Sequence, residues 1–248
     1  MSWIVNAWVW VSTVLIVILG TPVGALVWLC TAPFDRGRYA AGRTFRLLGV
    51  TQVKLNPLWH FEVGGLMVRD PRRPYVAVAN HESWADIFLI CLLPWEMKWL
   101  SKDAMFKIPC FGWMMRMAGD ISLRRGERSS GVQALASARD RLAKRVSVMI
   151  FPEGTRSRDG TMLPFKDGAF RIAIEAGAPI LPMVIAGTRQ AMLKGSMRFT
   201  KAHARLEVLA PIETAGLSLG DVAALRDRVR AVIADRRDAL LKELAAGA

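Results

Sequence analysis

Residues 1–34 contain no Asp, Glu, Lys or Arg, and this restricts the fold more sharply than any other property of the chain. A helix crossing a ~30 Å hydrocarbon core needs about 20 apolar residues, so the run is too long for one simple crossing. Gly20-Thr21-Pro22-Val23-Gly24 divides it into two apolar pieces, 3–19 and 23–34, which predicts a membrane-associated two-helix hairpin. A bent hairpin dipping into one leaflet and a single tilted span both fit. A hairpin buried in a soluble core is the bland alternative, and the missing charges weigh against it. No basic segment precedes the run, so it does not read as a cleaved secretory signal. Trp3, Trp8, Trp10 and Trp28 suit interfacial anchoring. Arg36, Arg38, Arg43 and Arg46 follow closely, which predicts a downstream domain on the cytoplasmic face, with these arginines meeting anionic lipid.

The expected division is therefore 1–46 as apolar anchor with a basic flank, and 47–248 as one folded domain. Lys and Arg number 34 against 21 acidic residues, giving a formal charge of +13. Such a charge seeks polyanions, either nucleic acid or an anionic membrane surface. The uncharged N-terminus, only two tyrosines and the lack of a nucleic-acid-binding motif favour the membrane. Cys30, Cys91 and Cys110 are widely spaced with no Cys-x-x-Cys, so neither a disulfide framework nor a zinc site is expected, and a reducing compartment is the simplest reading.

Apolar runs alternate with helical patterns along the second segment. Strands are predicted at Tyr75–Ala79, Met97–Leu100, Ile121–Leu123, Val146–Phe151, Ile180–Ala186 and Arg205–Leu209. Helices are predicted at Ser83–Leu93, Pro109–Ala118, Ser130–Lys144 and Phe165–Ala176, and a hairpin at Leu58–Val68 turning on Gly64-Gly65. The alternation gives an α/β fold, a largely parallel sheet flanked by helices. Ser218-x-x-Asp221 has capping-box spacing, and Val222, Leu225, Val229, Val232, Ile233, Leu240 and Leu244 then trace a helical stripe. Packing on the domain, with a solvated outer face of arginines among acids, is favoured over membrane contact.

Two segments at strand ends carry the chemistry. In Asn80-His81-Glu82-Ser83-Trp84-Ala85-Asp86, an imidazole near neutral pH accepts a hydroxyl proton if a second group fixes its tautomer. Five residues turn about 140° net on a helix, so His81 and Asp86 meet only if His81 lies in the loop. Ser83 as N-cap puts Asp86 at the third helical position and meets that condition. The competing reading is a plain capping box, with His81 an ordinary loop histidine. In Phe151-Pro152-Glu153-Gly154-Thr155-Arg156-Ser157, Arg156 offers a planar fork for phosphate, and Gly154 allows free N–H groups to complete an anion nest. Glu153 repels phosphate, so it either orients Arg156 or accepts from a substrate hydroxyl; a surface turn with a local Glu–Arg pair is the alternative. Glu82 either raises the His81 pKa or points to solvent. Lys166 is a candidate second cation, against the commoner role of a solvated surface lysine.

These two blocks resemble the first and third motifs of the glycerolipid acyltransferase superfamily. Gly119-Asp120-Ile121-Ser122-Leu123-Arg124 resembles the second, with Gly119 and Arg124 at the matching places, and Ile180-Leu181-Pro182-Met183-Val184 the fourth. All four fall in family order across residues 80–184, and within the superfamily the chain is most similar to the 1-acylglycerol-3-phosphate acyltransferases. The resemblance implies that His81, oriented by Asp86, deprotonates the sn-2 hydroxyl of a lysophospholipid acceptor. The oxygen then attacks an acyl thioester, acyl-CoA or acyl-ACP, without a covalent acyl-enzyme. Arg124 and Arg156 would bind the acceptor phosphate; Glu153, Gly154 and Thr155 would shape that pocket; Pro182 and its neighbours would line the acyl or acceptor site. No cofactor and no catalytic metal are implied.

Other classes fit less well. A Ser or Cys hydrolase would need a nucleophile, yet there is no Gly-x-Ser-x-Gly elbow and Cys91 and Cys110 sit in apolar surroundings. A catalytically idle membrane scaffold would be expected to lack His81 or Asp86, and both are present. Acylation of glycerol 3-phosphate or of another lysolipid is the nearest competitor.

Overall fold

The computed structural model describes residues 3–157, 159–193 and 195–246. Seven strands form one sheet in the order β1-β7-β6-β2-β5-β3-β4. In chain order these are Trp59–Gly65, Val76–Ala79, Met97–Lys102, Ile121–Leu123, Ser147–Ile150, Ile180–Ala186 and Ala202–Val208. Every pairing is parallel except β6 with β7, so β1 and β7 run against the other five. The three central strands β6, β2 and β5 are buried along their whole length. That is why they read as unbroken apolar runs and not as alternating ones: helices cover both faces of the sheet.

Helices α1 to α8 span Trp3–Thr31, Tyr39–Leu55, Ala85–Cys91, Phe111–Ala118, Arg128–Ala143, Gly168–Ala176, Thr188–Ala191 and Val222–Ala246. On one face Val76 and Val78 of β2 pack with residues of α5, α6 and α8; on the other, Ala77 and Ala79 pack with α3. The terminal helix docks through Val222, Leu225, Val229, Ile233 and Leu240, as the stripe predicts, and the Ser218–Asp221 capping box forms in the preceding 3₁₀ turn. Its arginines are less solvated than expected: Arg236 pairs with Glu207 of β7, and Arg237 reaches Glu82.

The expected break at residues 20–24 does not occur. The chain stays helical through Pro22 from Trp3 to Thr31. Proline removes one backbone donor, and next to this gap the Thr21 hydroxyl donates to the Val17 carbonyl. The glycines serve close packing: a Cβ on Gly20 would lie 2.5 Å from Leu48 of α2, and one on Gly24 2.6 Å from Met114 of α4. The two-helix element is thus α1 with α2, and the turn between them lies at residues 32–38. A boundary at 46/47 falls inside α2.

The hairpin at Leu58–Val68 is also absent. Residues 59–65 form one strand whose partner is β7, 143 positions later in register (Trp59 opposite Ala202). Gly65, at φ 81, ends the strand without starting a return.

Of the basic flank, Arg46 is turned away from any membrane surface. Arg46 is buried, pairs with Asp120 and lies 3.6 Å from Glu96, and Glu96 in turn holds Lys98 at 3.1 Å. Arg43 donates to the Leu93 carbonyl and Arg38 to the Arg116 carbonyl; only Arg36 of the four is exposed. These side chains pin α2 to the domain.

Candidate active site

β2 and β5 are adjacent parallel strands, so the loops leaving their C-terminal ends emerge side by side. Open α/β sheets present ligand sites at such ends. This adjacency brings together two segments that lie some seventy residues apart in sequence.

His81 sits in the loop after β2, and its Nδ1 is 2.7 Å from Asp86 Oδ2. Asp86 Oδ2 also accepts from the backbone N–H groups of Glu82 (2.8 Å) and Ser83 (3.0 Å), and Thr188 Oγ1 donates to Oδ1. The His–Asp contact and the loop-capping arrangement are therefore one structure. The N-cap is Trp84, one residue later than expected, and Ser83 Oγ accepts from the Ala85 N–H. The imidazole stacks on Phe151, with centroids 3.9 Å apart and planes at 14°. With Nδ1–H donated to the carboxylate, the ring lone pair is on Nε2.

Both carboxylate oxygens of Glu153 are engaged by backbone N–H groups. Its Oε1 accepts from the His81 backbone N–H at 2.7 Å and its Oε2 from the Leu163 N–H at 2.9 Å. The carboxylate ties the third-motif loop to the backbone of His81 and does not face Arg156. Burial pushes its carboxyl up to about 7, against the pull of those two N–H groups. Glu82 does not point to solvent: it is buried, and Arg237 Nε of α8 donates to its Oε1 at 2.6 Å. Desolvation raises this carboxyl too, to about 7, opposed by the Arg237 charge. Gly154 adopts φ 70, and its N–H donates to the Phe151 carbonyl, so this amide closes a turn and is not free for an anion.

His81 borders a cavity of about 520 Å³. Its lining includes Lys102, Arg125, Thr155, Arg156 and Lys166, the polar groups of Arg46, Gln52 and Asp120, and apolar side chains such as Val17 of α1, Leu48 of α2 and Phe111 and Met115 of α4. The Lys166 side chain lies over Gly154, where a Cβ would come within 3.1 Å of its Nζ. The Arg156 guanidinium is 5.5 Å from the Trp84 ring centroid, and burial lowers its pKa. Arg124 is not part of this wall: it is exposed and pairs with Glu127 at 3.1 Å. Arg125, in the turn that follows β4, borders the cavity together with Leu123. Gly119 caps α4 at φ 77, and Pro182 lies inside β6; neither borders the cavity. Cys91 borders it, but burial pushes the thiol up to about 12, so it is no ready nucleophile.

Residues 60–186 match the sequence profile of the family described as Acyltransferase. The chain belongs to the acyltransferase family. The human 1-acyl-sn-glycerol-3-phosphate acyltransferase alpha is 33% identical over 91% of this chain and 76% of its own length. A chloroplastic 1-acyl-sn-glycerol-3-phosphate acyltransferase of Brassica napus is 39% identical over 58% of this chain and 42% of its own. The crystal structure of the 1-acyl-sn-glycerophosphate acyltransferase PlsC from Thermotoga maritima superposes with a TM-score of 0.78 at 28% identity, covering 96% of this chain and 95% of that one.

Three residues around the site escape a linear reading: Thr188, Arg237 and Arg125. The first two arrive from elements far along the chain. Arg237 also donates through Nη2 to the Gly160 carbonyl at 2.6 Å, so it clamps both active-site loops to α8. Arg237→Ala removes the donor that ties Glu82 and the Gly160 carbonyl to α8, and the resulting shift of the His81 loop is expected to cut turnover by up to about 10²-fold. Adding Glu82→Gln ends the buried carboxyl's need for a cationic partner and should restore much of the rate. Acyl-transfer rates of the two single variants and the pair measure this, and an unrescued pair would refute the coupling.

Proposed function

We propose that this acyltransferase moves a fatty acyl group from an acyl thioester to the sn-2 hydroxyl of 1-acylglycerol-3-phosphate, giving phosphatidic acid. The observation that carries the proposal is one cavity lined by an imidazole backed by a carboxylate, by a group of cations and by many apolar side chains. A lysophospholipid has parts to match each of these: a phosphate, a free hydroxyl and a hydrocarbon chain.

Asp86 holds the Nδ1–H of His81, so Nε2 takes the acceptor hydroxyl proton as the oxygen attacks the thioester carbonyl. The C–S bond then breaks, and the departing thiolate recovers the proton from His81. No enzyme nucleophile takes part. Arg125, Arg156, Lys102 and Lys166 offset the acceptor phosphate, with the arginines supplying planar forks.

Membrane association follows from the surface of α1. Trp3, Ile4, Trp8, Leu19, Leu26 and Leu29 are half exposed or more, and Ile108 and Trp113 continue the apolar surface beside α4. The helix, ~44 Å long at 1.5 Å per residue, is tied to the domain near both ends. Asn6 exchanges hydrogen bonds with the backbone of Phe199, and Gly24 packs on Met114. Such tethering favours a helix lying along one leaflet, with the apolar part of the cavity opening toward lipid, over a crossing that would carry it away from the domain. The catalytic domain then lies on the cytoplasmic face.

The phosphate assignment is tested by exchanging the two neighbouring arginines. Arg125→Ala should raise KM for the phosphorylated acceptor by about 10-fold or more, since a charge-assisted hydrogen bond contributes roughly 1.5–3 kcal/mol. Arg124→Ala should leave it within about 2-fold, as its partner is an exposed Glu. Equal effects, or the reverse order, would move the phosphate elsewhere.

A further inference from the structure

The edge of the sheet carries a second cluster, unrelated to the cavity. In the parallel register of β1 and β7, His60 stands directly opposite His203. Glu62 follows two residues after His60 and so projects from the same face. All three side chains converge on one atom: His60 Nε2 lies 2.9 Å, and His203 Nε2 3.1 Å, from Glu62 Oε1. The two imidazole centroids are 4.7 Å apart, and one ligand atom from each of the three residues fits within a 4.8 Å span.

We propose that His60, Glu62 and His203 form a binding site for a divalent metal of the zinc class, with water completing the coordination. Zinc bonds of ~2.0–2.1 Å in a tetrahedral site set ligand atoms about 3.3 Å apart. The present spacings of 2.9 and 3.1 Å need to open by only a few tenths of an ångström. Two imidazoles and one carboxylate suit zinc, whereas magnesium and calcium prefer oxygen-only shells. The ligands stand on paired strands, so backbone hydrogen bonds fix their spacing before any metal arrives.

In the metal-free cluster both rings donate to Glu62, and hydrogen bonds from His203 and then His60 hold its carboxyl below its ordinary value. A metal bound at the two Nε2 atoms would require each neutral ring to carry its proton on Nδ1 instead. The nearest opposing charge on the strand pair is Arg205, opposite Glu62 in register, and its guanidinium is drawn 3.6 Å from Glu243 of α8. Glu207, further along β7, is held by Arg236 and so is not a fourth ligand. A metal bridge here would pin the edge strand whose other face carries Trp59 and Phe61, packed with Phe199 in the cluster that seats Val9 of α1.

The test uses the purified full chain in detergent, stripped with a chelator and titrated near neutral pH with Zn²⁺ and, separately, Mg²⁺. Saturable, stoichiometric Zn²⁺ uptake is expected, with no competing Mg²⁺ uptake. His60→Ala with His203→Ala should abolish it while leaving metal-free melting and acyl transfer unchanged. Glu62→Gln alone should weaken it by about 10-fold or more. Zinc should raise the melting temperature of the original chain and not of the double variant. Absence of saturable zinc uptake, or uptake undiminished in both the double variant and Glu62→Gln, would overturn the proposal.

Discussion

His81→Ala should lower acyl transfer by about 10²–10⁴-fold, the usual contribution of a positioned general base. The protein should keep its fold and its hold on membranes. His81 lies in a loop, its ring stacks on one face of Phe151, and its backbone contacts to Glu153 and Ser157 do not need the side chain. Asp86→Asn should also slow the reaction, but with lost stability, since Asp86 accepts from two loop N–H groups and from Thr188. Comparing turnover with melting temperature separates the two substitutions: the histidine variant loses rate alone, the aspartate variant loses both. Wild-type turnover in His81→Ala would remove the base from the mechanism.

The largest stability effect is expected at Arg46, on the α2 side of the same cavity. This side chain is buried with Glu96, Lys98 and Asp120, two cations and two acids with no solvent to screen them. Asp120 accepts from both Arg46 and the Trp99 N–H, Lys98 donates to the Arg38 carbonyl at 2.7 Å, and the Arg46 guanidinium lies 4.9 Å from the Trp99 ring centroid. Removing one member of a buried ion network leaves its partners charged and unpaired, at a cost of about 3–5 kcal/mol. For a chain of this size that lowers the melting point by on the order of 10 °C. Arg46→Ala should show this in a thermal unfolding scan. Replacing the set with neutral groups of similar shape (Arg46→Met, Glu96→Gln, Lys98→Met and Asp120→Asn) should recover most of the loss, because no charge is then stranded. An Arg46→Ala melting point close to that of the original chain would mean that α2 is not held by these charges.

Much of this was readable from residue order, for physical reasons that also mark where the reading stopped. Central strands of a parallel sheet are covered on both faces, so Val76–Ala79 and Ile180–Ala186 stand out as continuous apolar runs. The two motif loops are recognisable because each follows such a run. What failed depended on partners far away in the chain. Gly64-Gly65 looks like a turn until β7, which lies more than a hundred residues later, claims the strand. Gly20 and Gly24 look like helix breakers until Leu48 and Met114 show what needs their missing side chains. Arg36 to Arg46 read as a lipid-facing patch because sequence gives charge but not burial, and Glu96 and Asp120 take Arg46 inward. Arg124 and Arg125 differ by one position, and only the path of the turn after β4 decides which of them borders the cavity. The link from Glu82 to Arg237 spans 155 residues and leaves no local signal.

The most direct measurement is acceptor choice by the purified protein in detergent or anionic vesicles, with a long-chain acyl thioester as donor. The acceptors are 1-acylglycerol-3-phosphate, glycerol 3-phosphate, lysophosphatidylcholine and monoacylglycerol, with His81→Ala as the control for enzyme-borne transfer. Phosphatidic acid should form fastest from 1-acylglycerol-3-phosphate, because only that acceptor offers both a terminal phosphate for the cations that line the cavity and a chain for its apolar lining. Faster acylation of monoacylglycerol or lysophosphatidylcholine, or phosphatidic acid formed equally well by His81→Ala, would contradict the assignment.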